Sequence, residues 1–262
     1  MDQIIAEIKK IPPVTRFVCG SSLAVTLSVV IGVVSPYSVL FVKEYVFKKL
    51  QIWRLYTAFF VGSGGFNYIF EFIMLYRTMN DLETRSYFLR SSDLAWQLLW
   101  ACAGIVGATW PLRCFIFTRA FLLCIVYLYS SLAPPGATTS IMGLVTVPVK
   151  YYPYVLIGFD LIIAGPQAAA QSVAGAVVGH AWWWSVWGGE LGSQGLLTRY
   201  ARAPQWMMDI FGETGQAGPP AAAGGTAAGL ARSGIHVSAP REAPAPGNPT
   251  GHSWGSGRRL GT

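Results

Sequence analysis

Four ionisable residues fall in or beside long apolar runs: Glu71, Arg119, Asp160 and His180. A charged side chain is costly in hydrocarbon, so each is a functional candidate if its run enters a membrane. Glu71 interrupts the run from Leu55 to Tyr76, and Asp160 the run from Tyr151 to Gly165. Arg119 lies near a helix end, and its long stem is expected to carry the guanidinium out to the interface. Asp160 fits either a hydrated groove or an internal hydrogen-bonded partner, and the sequence leaves both open. Gly175 and Gly179 are four apart, on one helix face. That spacing allows close helix contact and favours packing over direct contact with a substrate. Trp53-Arg54 joins an amphipathic ring to a cation able to bind lipid phosphate or backbone carbonyls. Interface anchoring alone would account for that pair equally well. Cys19, Cys102, Cys114 and Cys124 have no metal-ligand spacing, so buried free thiols are expected, with no metal and no cofactor.

These residues must be positioned by membrane helices. Of 262 residues, 53% are hydrophobic and only 12% are charged, against about 25% charged in a soluble domain. The net charge of +7 comes in short clusters beside apolar runs and forms no basic face, so nucleic acid is not an expected partner. A helix needs roughly 20 apolar residues to cross a bilayer. Six spans are predicted, at about 17–34, 58–76, 94–110, 115–132, 151–165 and 171–187. The fourth stops before Pro134-Pro135, which cannot continue a helix. The stretch 137–149 reads as an interfacial segment. The last two spans are short: the fifth covers only roughly 22 Å at about 1.5 Å per residue.

Loop charges set the orientation. Lys9, Lys10 and Arg16 precede the first span, and Arg77, Arg85 and Arg90 follow the second. Lys150 precedes the fifth, and Arg199 and Arg202 follow the sixth. With six spans all four clusters share one side, which the positive-inside rule makes cytosolic, together with both termini. Arg113 is an exception, as are Lys43, Lys48, Lys49 and Arg54 in the first loop. That loop is long, aromatic and basic, and is expected to lie in the interface. The expected organisation is a membrane domain at 1–190, a post-membrane interfacial segment at 191–211 and a tail at 212–262. The tail is rich in Gly, Ala and Pro and is expected to be disordered.

Four segments in order resemble derlins, which are rhomboid-fold proteins without protease chemistry. They are Ile11-Pro12-Pro13-Val14-Thr15-Arg16; Gln51-Ile52-Trp53-Arg54, followed by Thr57 and Phe59; Leu82-Glu83; and Gly175-Ala176-Val177-Val178-Gly179-His180, followed by Trp182, Trp183 and Trp184. Ala203-Pro204-Gln205-Trp206 also resembles the family's post-membrane segment. The resemblance implies an all-α, rhomboid-like six-transmembrane-helix bundle. It also implies that Trp53-Arg54 organises the first loop.

Rhomboid proteases pair a Ser in Gly-x-Ser-Gly with a His in the sixth helix, because Ser needs a base to become nucleophilic. No Gly-x-Ser-Gly occurs in this chain. The family's histidine position, three residues before the first Gly of the sixth-helix GxxxG, is Ser172. His180 is displaced by more than two turns, and Ser140 lacks the flanking glycines. The chain is therefore not expected to be an enzyme.

The tail segment His252 to Gly261 contains Trp254, Gly255, Gly257, Arg258, Arg259, Leu260 and Gly261. It resembles the peptide with which some derlins recruit the AAA+ unfoldase valosin-containing protein. An aromatic anchor, glycines, basic residues and a leucine suit docking into a partner's groove. The resemblance further implies residence in the endoplasmic reticulum membrane. There the chain would help misfolded protein clients reach the cytosol, beside a membrane RING ubiquitin ligase complex. Short fifth and sixth spans would thin the lipid bilayer. An intramembrane serine protease or a small-solute channel or transporter is the alternative class.

Overall fold

The computed structural model of the chain describes residues 6–8, 10–141, 145–189 and 195–213. The tail motif at 252–261 lies outside the described residues. Helix α1 is Pro13–Val30, with proline in its first turn, where the missing N–H costs nothing. It is the described helix that is long and apolar enough, by length and composition, to cross a membrane. The first loop then carries three short helices: α2 at Pro36–Val39, α3 at Lys43–Lys48 and α4 at Trp53–Phe60.

Gly65, at φ 73°, opens α5 at Phe66–Asp81. The span expected at 58–76 is thus divided. Residues 58–60 belong to α4, and the glycines at 62, 64 and 65 form the turn between the two helices. A π-helical turn, Leu82–Ser86, extends α5. Then come α6 at Ser91–Thr109, α7 at Thr118–Leu132, α8 at Tyr152–Ala164, α9 at Pro166–Trp187 and α10 at Gln205–Phe211.

Two expectations need correction. The chain is mostly helical, but residues read as an interfacial segment form an antiparallel hairpin, β1 at Thr138–Ile141 and β2 at Val145–Pro148, with Thr139 opposite Val147. Its β-branched Thr and Val favour strand. The sixth span is not short. α9 has 22 residues, about 33 Å at ~1.5 Å per residue, because Pro166 starts the helix directly after Gly165. Helix α8 is short, with 13 residues, or about 20 Å by the same rise.

Helix α7 is the hub. Seven successive residues, Ala120 to Val126, are buried, as in a helix surrounded by others. Phe121, Ile125 and Leu128 pack with Val18, Leu94 and Ile105 in one core. Hydrogen bonds gather the connections into two groups. In one, the first loop meets the start of α7: Phe41 N donates to Phe115 O and Phe117 N to Ala58 O, at 2.9 and 2.8 Å. In the other, the start of α1 meets the end of α5, and the start of α6 meets residues 200–213.

Candidate functional site: a charged cluster among the helices and its supports

The charged candidates converge. Arg119 on α7 pairs with Asp160 on α8, and lies 3.7 Å from the Glu71 carboxylate on α5. The Ser172 hydroxyl on α9 donates to the other Asp160 oxygen. Glu71 also accepts the Ser63 amide at 3.3 Å. Arg119 therefore does not snorkel away from the bundle. Two carboxylates hold it between helices, its side chain 25% exposed. Asp160 has the internal partners that were one of its two open readings. One guanidinium thus faces two carboxylates. Ser172 itself is fully buried. The Ser140 carbonyl in β1 takes a bond from Arg77.

The helix-packing glycines form the closest helix contact. A Cβ on Gly175 would lie 2.0 Å from the Ala120 carbonyl oxygen, and one on Gly179 would lie 2.7 Å from that of Cys124. Only hydrogen in place of a side chain lets α9 approach the α7 backbone this closely. His180, one residue on, is exposed. Its Nδ1 lies 2.8 Å from the Tyr127 hydroxyl, and its ring stands between those of Tyr127 and Trp183. It does not join the charged cluster.

Arg54 ties the first loop together. Its guanidinium donates to the carbonyls of Tyr37 and Leu40, at 2.7 and 3.2 Å, and to Gln51 Oε1 at 2.6 Å. It also sits over the Tyr45 ring. Thr57 reinforces the tie by donating to the Val39 carbonyl at 3.0 Å. Trp53 does not share this work: its side chain points outward, 57% exposed.

Two carboxylates assigned no role by the sequence act as helix caps. Glu83 is buried and accepts the amides of Val14 and Thr15 at 3.1 and 2.7 Å, and the Thr15 hydroxyl at 2.8 Å. Pro12, at the cap position of α1, cannot satisfy these donors itself, and that was the available signal. Glu213 does the same for α6, accepting the Ser91 amide at 2.7 Å and the Ser92 hydroxyl. Between these caps Gln97 accepts from Tyr87 and Trp182 and donates to the Ala201 carbonyl at 2.9 Å. Burial pushes the Tyr87 phenol well above its usual range, which keeps it a donor. Among the described residues the four cysteines are free, and no group of three His, Cys, Asp or Glu residues could hold a metal ion.

The helices and the cluster define a class: a mostly helical protein with a charged network built between its helices. The chain belongs to the Der1-like family, whose model matches residues 11–198. It is similar to Derlin-1 of Homo sapiens, 27% identical over 261 residues, which covers 97% of this chain and 96% of that relative. Derlin-1 of Arabidopsis thaliana is 26% identical over 202 residues, covering 76% and 74%. Derlin-2.1 of the same plant is 27% identical over 187 residues, covering 67% and 75%. The chain is thus a derlin, a membrane protein related to endoplasmic-reticulum-associated degradation.

Proposed function

We propose that this derlin is a non-catalytic factor of the endoplasmic reticulum membrane that assists retrotranslocation of misfolded clients. The carrying observation is Ser172. It donates to Asp160, which is already held by Arg119, so a buried polar network stands where protease chemistry would need a base. In this reading α1, α5, α6, α7, α8 and α9 cross the bilayer in a rhomboid-like bundle, with both termini cytosolic. The two groups of loop contacts and the basic-residue distribution support it. The network supplies polar surface that lowers the cost of admitting polar chain. Helix α8, at about 20 Å, falls short of a hydrocarbon core of about 30 Å, which favours thinning beside it. Residues 252–261 recruit the AAA+ unfoldase, and a membrane RING ubiquitin ligase complex works alongside.

The test uses purified protein in proteoliposomes with a membrane-inserted misfolded client. The expected result is no cleavage fragment, and slower client extraction by the unfoldase when the protein is omitted. Cleavage abolished by Ser172→Ala or Ser140→Ala would overturn the reading.

A further inference from the structure

A second concave surface lies apart from the charged cluster. It is a groove of about 760 Å³, walled by the ends of α7 and α9, the loop 133–137 and the start of α8. Trp183, Trp184, Tyr154 and His180 contribute aromatic surface, and Lys150 stands at the edge. Tyr154 is 60% exposed and Trp184 50%. In a membrane protein, aromatic side chains at helix ends lie at headgroup depth, where amphipathic rings are favoured. On the reading that these helices cross the bilayer, a groove at that depth faces lipid, and its charge decides which lipid suits it.

The lining contains no Asp or Glu. Among the described residues no carboxylate pairs with Lys150. Tyr127 lies 2.8 Å from His180 Nδ1. When that hydroxyl donates, the neutral imidazole carries its proton on Nε2, a second donor for an oxyanion. We propose that this groove is a binding site for one anionic phospholipid. Its phosphate is held by Lys150 and the His180 Nε2–H, and its acyl chain lies along Trp183, Trp184 and Tyr154. An ammonium is a compact point charge suited to a phosphate oxygen.

Native mass spectrometry of the full chain in detergent tests the site, with phosphatidylserine, phosphatidylcholine and inorganic phosphate titrated separately. One phosphatidylserine should be retained in preference to phosphatidylcholine. Lys150→Ala should weaken that retention roughly fivefold, the effect of about one basic residue near an anionic surface. Lys150→Arg should keep the preference, and Lys48→Ala, in the first loop, should leave it unchanged. Equal retention of the two lipids would overturn the proposal, as would a phosphatidylserine preference that survives Lys150→Ala. Displacement of the lipid by equimolar inorganic phosphate would show a phosphate site rather than a lipid site.

Discussion

Glu83 holds Thr15 twice, through the backbone amide at 2.7 Å and the hydroxyl at 2.8 Å, across 68 residues of chain. The bond joins the end of α5 to the first turn of α1. A negative charge there also complements the positive end of the helix. Glu83→Gln keeps the shape but gives up the charge and part of the acceptor capacity. It should destabilise by about 1.5–3 kcal/mol, the range for hydrogen bonds to a charged group. Thermal unfolding in detergent measures it. Glu83→Gln and wild type melting together would show that the cap is not needed.

The two glycines of α9 should not be equivalent. Gly175 faces a carbonyl oxygen at 2.0 Å, whereas Gly179 has 2.7 Å. Gly175→Ala should therefore cost more than Gly179→Ala, with overpacking typically costing about 1–3 kcal/mol. A Cβ at Gly158 on α8 meets nothing within 4 Å, so Gly158→Ala is the neutral control. Steady-state protein level and melting temperature give the order.

Removing the cation from the cluster should be worse than neutralising one acid. Arg119→Met leaves Glu71 and Asp160 facing each other without compensation, a loss of about 3–5 kcal/mol by the buried-pair estimate. Asp160→Asn should cost less, since Arg119 keeps Glu71 and the amide still accepts from Ser172. The triple variant Glu71→Gln, Arg119→Met, Asp160→Asn should recover most of the stability. If client extraction stays impaired in that stable triple variant, the charges serve transport. If extraction returns with stability, they serve only the fold.

Removal of residues 252–262 should abolish unfoldase binding and leave the melting of the membrane domain unchanged. Trp254→Ala and Leu260→Ala should each weaken binding more than Ser256→Ala, since they carry the large apolar side chains there. Arg258 and Arg259 should make binding salt-sensitive. A pull-down with a 248–262 peptide measures it. A peptide that retains no ATPase would remove the motif assignment.

The long helices were legible in outline because apolar runs and prolines bound them. The start of α9 was missed because Gly165-Pro166 reads as a break. It is a helix end followed at once by a helix start, with proline in the one turn that tolerates it. The paired strands at 138–141 and 145–148 do not stand out in the sequence, because their apolar content matches an interfacial stretch and each has only four residues. Glu71, Asp160 and Arg119 could each be flagged singly. Their meeting could not be read, because it depends on how three helices separated by dozens of residues are rotated about their axes. The GxxxG packing was legible because both glycines sit on one helix and need only its periodicity.

The clasp at Glu213 has a mechanical side. Past α9 the chain first bonds back to that helix, Leu197 N donating to Ser185 O and the Thr198 hydroxyl to Val186 O, at 2.9 and 3.1 Å. It is then fastened to α6, through Gln97 to the Ala201 carbonyl, Asp93 to the Ala203 amide and Glu213 to Ser91 and Ser92. Traction on the residues beyond 213 would thus load the start of α6 before it reached the end of α9. Three fastenings in series act like a cable clamp and would shield the Gly175–Gly179 contact from the strain.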